Sequence, residues 1–152
     1  MYRLIGDNHT LSGLPFSAQV FVRALDRVRR SLADDAGVSL IELQALGRIA
    51  EESAIEVPAL AQHLGASADA TESIIAALIE RALAVRVPTS GDPADVLELT
   101  PAGHELMHKV YLDFQSSILG AADSLDEERL FAFDSALLKM ARKLDSIAEG
   151  AH

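Results

Sequence analysis

The stretch Ala84-Val85-Arg86-Val87-Pro88-Thr89-Ser90-Gly91-Asp92-Pro93-Ala94-Asp95-Val96-Leu97-Glu98-Leu99 decides how this chain folds. Residues 84–87 and 96–99 are rich in valine and leucine, and β-branched side chains suit a pleated surface. Between them Pro88, Ser90, Gly91, Asp92 and Pro93 crowd together, residue types that break regular structure. The pattern predicts a two-stranded hairpin with a flexible tip.

Everything to either side reads as helix. Ser67 caps a fourth helix over about 68–83, with Thr71, Ile75, Leu78 and Ala82 as its inner stripe. Pro58 and Gly65 bracket a short third helix, 58–64. Ser39 and Glu42 form a capping box at the start of a second, 39–52, whose buried face is Leu43, Leu46, Ile49 and Ala50. Farther upstream, Phe16, Val20, Phe21, Ala24, Leu25, Val28 and Leu32 recur at steps of three and four and predict a first helix over 15–34. Downstream, Thr100-Pro101 starts a fifth helix running to about Leu119. Asp126 caps a sixth, with Leu130, Phe133, Leu137, Met140, Ala141, Leu144 and Ile147 on one side.

Composition narrows the class. The 152 residues are one domain's worth, and 49% of them are hydrophobic, so the chain has a core and is not disordered. With 5% aromatics and no Trp, that core is aliphatic. The absence of Cys excludes disulfides, Cys-ligated zinc and thiol redox sensing. No run approaches the length of a membrane span. Residues 1–14 place Asp7, Asn8 and His9 where a signal peptide needs its apolar run, so a cytoplasmic protein is expected. The net charge of −10 argues against general nucleic-acid affinity, although a local patch can override it.

The order is therefore long helix, three shorter helices, hairpin, two long helices. The fold class is mainly α with a small two-stranded wing, a winged helix-turn-helix over residues 39–100 within a single chain, 1–152. The terminal segments, 15–34 and 101–148, carry apolar stripes that a small lobe cannot bury. A second copy is the economical partner, with Phe16, Val20, Leu130, Phe133, Leu137, Met140 and Leu144 at the interface of an intertwined dimer base.

Several segments resemble the MarR (multiple antibiotic resistance regulator) family. Residues 39–46, with Gln44, resemble its second helix, and Leu60-Ala61-Gln62-His63-Leu64-Gly65 its third. Leu78-Ile79-Glu80-Arg81-Ala82-Leu83 resembles the end of its recognition helix, with Ala82 where the family has glycine. Leu97-Glu98-Leu99-Thr100-Pro101-Ala102-Gly103 matches the junction from wing to helix, and Leu125-Asp126-Glu127-Glu128 the start of the last helix. The resemblance implies a triangular homodimer whose recognition helices enter successive major grooves of an operator while the wings touch minor grooves. It also implies regulation by a small phenolic or lipophilic effector held between dimer base and reading lobe.

The reading face departs from that pattern. Asp69, Glu72, Ser73, Ala76 and Glu80 share the outer side of the fourth helix, where arginine, lysine, asparagine or glutamine usually meet base edges. The wing tip carries no arginine. Over residues 53–100 the acids are Glu56, Asp69, Glu72, Glu80, Asp92, Asp95 and Glu98, and the bases are Arg81 and Arg86. The DNA-facing set is Ser67, Asp69, Thr71, Glu72, Ser73, Arg81, Arg86, Ser90 and Asp92. Two readings stand: a ligand-responsive regulator that binds double-stranded DNA, or a dimer of the same fold that has lost DNA binding and serves as a ligand- or protein-binding module.

Other signals are weaker. Phe21, Arg48, Tyr111 and Gln115 are the expected ligand-pocket residues. Phe16, Phe114, Phe131 and Phe133 read as core or interface. His104 and His108 have a zinc-compatible spacing but no third ligand nearby, so no metal and no cofactor are expected. His63 reads as exposed. Arg23, Arg27, Arg29 and Arg30 form a basic cluster beside Asp26, Asp34 and Asp35, a solvated mixed face. Glycine-rich phosphate loops, nucleophile elbows and paired catalytic carboxylates are all missing, so the chain is not expected to be an enzyme.

Overall fold

A computed structural model describes residues 13–91 and 95–150. The expected leaderless start and Asp92 lie outside them. The element order is α1 (Leu14–Ala36), α2 (Leu40–Glu52), α3 (Val57–Leu64), α4 (Ala68–Glu80), β1 (Ala84–Pro88), β2 (Asp95–Leu99), α5 (Pro101–Ala122) and α6 (Glu127–Glu149). The expected architecture of six helices and one hairpin is present.

Local chemistry sets the boundaries. Ser39 and Glu42 make the reciprocal capping box, with the Ser39 amide donating to the Glu42 carboxylate at 2.7 Å. The Ser67 hydroxyl accepts from the Ala70 amide, and the Asp126 carboxylate from the Arg129 amide at 2.9 Å. Gly37 closes α1 at φ 70°, a left-handed conformation that glycine reaches without a steric penalty.

The fourth helix ends earlier than its periodicity predicts, at Glu80 rather than near residue 83. Its end is a left-handed cap in which the Ala82 amide donates to the Ile79 carbonyl and the Leu83 amide to the Leu78 carbonyl, each at 2.9 Å. Ala82 therefore leaves the inner stripe and sits exposed at φ 56°. An alanine there is strained by contact of its Cβ with the following carbonyl. Ala82→Gly is expected to raise stability by about 1 kcal/mol, seen as a higher urea midpoint with unchanged slope. A lower midpoint would show that the cap tolerates the methyl group.

β1 and β2 pair antiparallel with Ala84 opposite Leu99 and Arg86 opposite Leu97. A third backbone segment joins them. Ile55, just after α2, exchanges both hydrogen bonds with Leu97, at 2.8 and 3.0 Å. A one-residue bridge has no periodicity and escapes sequence analysis. It anchors the hairpin to the helical layer.

The chain divides into two compact units after Phe114, within α5. The main core of the first joins Leu46 and Ile49 of α2, Leu60 of α3, Ile75 and Leu78 of α4, and Leu97 of β2, all almost wholly buried. A second cluster packs Leu32 and Ala33 of α1 against Val38, Leu43 and Val110. In the second unit, α6 buries none of its residues. Phe131, Leu138, Leu144 and Ile147 are each more than half exposed.

Candidate nucleic-acid interface and adjoining cavity

α3, a turn through Gly65 and α4 form the helix-turn-helix, and the hairpin follows α4 directly. With Thr71, Ile75 and Leu78 turned into the core, helical geometry carries Asp69, Glu72, Ser73, Ala76 and Glu80 outward, and all five are exposed. Ser90 is exposed near the hairpin tip. Thr71 does not belong to this surface. It is fully buried, and its hydroxyl donates to the Ser67 carbonyl at 2.8 Å, so it supports the start of α4 instead of facing a groove.

Arg81 and Arg86 both have partners within the chain. The Arg81 guanidinium, at the end of α4, donates to the Gly37 carbonyl that closes α1. Arg86 on β1 pairs with Glu72 of α4, and its Nη1 lies 3.5 Å from the Asp95 carboxylate of β2. Strand geometry explains this direction. Ala84 is buried and Leu97, opposite Arg86, is fully buried, so residues 84, 86 and 97 share the core-facing side of the hairpin. Arg86 therefore emerges from the inner side, toward α4. The period-two pattern of the strand held that information, although a count of charges did not.

A cavity of about 430 Å³ lies between α1, α2, α3 and α5 of the first unit. That volume falls within the range of small-molecule sites. Leu32, Leu43, Met107, Val110 and Phe114 give it apolar walls, and Arg29, Gln44, Arg48, His63 and Tyr111 give it polar ones. Of the expected ligand residues, Arg48 and Tyr111 line it. Phe21 does not, and Gln115 belongs to the second unit. Sequence analysis missed Gln44, His63 and Met107, which meet only through packing.

Arg48 is the most informative wall residue. Its guanidinium nitrogens reach Glu51 at 3.2 Å and Glu52 at 2.5 Å. Its Nε is buried and has no hydrogen-bond partner. A buried N–H left unsatisfied is costly. On α5, Lys109 donates to Asp113 at 2.7 Å, and that bond raises the pKa of the ammonium above its ordinary value. His104 and His108 are both exposed, and no cluster of three metal-ligating side chains occurs among the described residues.

No family model and no curated protein matches the sequence. Solved structures do match its fold. A MarR family protein from Bacillus stearothermophilus superposes with TM-score 0.83 at 16% identity, over 92% of this chain and 99% of that one. NadR in complex with 4-hydroxyphenylacetate superposes at 0.69 with 18% identity, over 88% and 98%. A MepR variant from S. aureus, bound to an oligodeoxyribonucleotide, does so at 0.63 with 15% identity, over 86% and 97%. The chain thus has the winged-helix fold of the MarR regulators along nearly its whole length.

Proposed function

We propose that this chain is a MarR-family transcriptional regulator. It works in the cytoplasm as a homodimer, binds operator DNA through α4 and the hairpin, and responds to a small effector in the cavity. The observation that carries the reading is the intact α3–turn–α4–hairpin unit with its α4 outer face exposed. That arrangement presents a helix of the right size to a major groove and the hairpin to its flank.

Two further features support the reading. Leu130, Phe133, Leu137, Met140, Leu144 and Ile147 of α6 follow alternating three- and four-residue steps, the spacing of a helix that packs along a partner helix. Five of the six are at least 39% exposed in the single chain, an apolar stripe that a second copy would cover. The cavity sets aromatic and aliphatic walls beside the polar side chains of Gln44, Arg48 and His63, which suits an aromatic ring bearing a carboxylate or carbonyl acceptor. DNA in the MepR complex and an aromatic carboxylate in the NadR complex are the ligand classes this reading assigns here.

The deciding experiment is binding to the promoter region of the chain's own operon across a salt series. Site-specific binding is expected, with affinity falling steeply between about 50 and 200 mM salt. Absence of any binding at about 50 mM, where phosphate contacts are strongest, would instead make the chain a dimeric ligand- or protein-binding module.

A further inference from the structure

The pairing of the hairpin's arginine has a consequence for DNA affinity. Arg86 stands on the core-facing side of β1, where one Nη of its guanidinium donates to the Glu72 carboxylate of α4 and the other lies 3.5 Å from the Asp95 carboxylate of β2. A DNA phosphate would present its oxygens to that same guanidinium. Arg81, at the end of α4, donates from one Nη to the Gly37 carbonyl.

We propose that Glu72 and Asp95 form an autoinhibitory clamp that holds Arg86 in place of a phosphate, so that the lobe meets DNA with its wing cation masked. The proposal rests on the reading that α4 and the hairpin face DNA. The clamp is a competitor and not a permanent lock. The Arg86 and Glu72 side chains are 33% and 52% exposed, and ion pairs this open to water are weak. A phosphate arriving beside α4 can exchange with the carboxylate. The exchange sets a threshold: only a duplex that makes enough other contacts holds the lobe long enough to capture Arg86. Low non-specific affinity follows from the fold itself, and the acidic reading face takes on a purpose as a filter against random sequence.

The test compares the full-length chain with Glu72→Gln, Arg86→Ala and the double variant, on a labelled duplex of arbitrary sequence from about 50 to 200 mM salt. Circular dichroism checks that each is folded. Glu72→Gln is expected to bind roughly tenfold tighter at the lowest salt, with a salt slope steeper by about one phosphate contact. Arg86→Ala alone should change affinity by less than about twofold, and in the double variant it should cancel the gain. If Glu72→Gln gains equally without Arg86, the carboxylate merely repels DNA and the clamp is wrong, while the DNA-facing reading stands. If Arg86→Ala alone loses about tenfold, Arg86 already engages DNA and the clamp is equally wrong. If none of the four proteins binds at the lowest salt, the DNA-facing reading fails and the clamp fails with it.

Discussion

Gly103→Ala is expected to destabilise the first unit by about 3 kcal/mol, the upper part of the range for overpacking a tight site. A Cβ at Gly103 would stand 2.0 Å from the Leu83 carbonyl oxygen, 3.1 Å from its carbon and 3.4 Å from the Leu99 Cβ. The first two are backbone atoms and cannot swing aside. The Leu83 carbonyl is already committed, accepting from the Thr100 amide at 3.1 Å. Thr100 adds a second tie, its hydroxyl donating to the Ala82 carbonyl at 2.6 Å and accepting from the Gly103 amide at 3.0 Å. The start of α5 is therefore stitched to the end of α4 and the root of the hairpin, and only a missing side chain allows that approach. Gly120→Ala is the internal control. It lies in the same helix with nothing within 4 Å of the added atom, so it should gain about 0.5–1 kcal/mol from helix propensity. Urea unfolding of both variants checks the pair. Two losses of equal size would mean that close approach at Gly103 is not the cause.

The second large effect concerns assembly. Leu137→Glu with Leu144→Glu is expected to convert a dimer of 16.2 kDa chains into monomers and to weaken operator binding about 100-fold or more. Leu137 is 39% exposed and Leu144 61% exposed in the single chain. Their replacement costs an isolated subunit little, yet in an apolar interface it buries four carboxylates across the two copies. Linking two reading lobes multiplies affinity, and separating them removes that factor. Light scattering coupled to gel filtration gives the mass, and the operator assay gives the affinity. A wild-type chain that already runs as a monomer would end the dimer reading.

The parts of this fold legible in the sequence are those set by neighbours along the chain. Ser39 with Glu42, Gly37, Gly65, Ser67, Thr100 and Asp126 each mark a boundary through bonds spanning three to five residues. The periodicity carries α4 past its real end because Ala82 takes a backbone conformation that glycine usually announces. The Ile55–Leu97 bridge and the cavity roles of Gln44, His63 and Met107 depend on distant segments meeting, which no local pattern encodes. The sequence allows Thr71 both a place in the inner stripe and a place among the DNA-facing residues, and its burial decides for the stripe. The acidity of the reading face was visible from composition. That Arg86 turns inward to answer it follows from the period-two alternation of β1, once its register against β2 sets Leu97 opposite.

The cavity wall also gives the protein its own optical reporter. The chain has no tryptophan and two tyrosines, one of which, Tyr111, lines the cavity. One of the two tyrosines thus sits where an effector would lodge, with no indole emission to mask it. A ring stacking beside that phenol would quench or shift the ultraviolet emission, so effectors could be screened on unlabelled protein, with Tyr111→Phe as the dark reference.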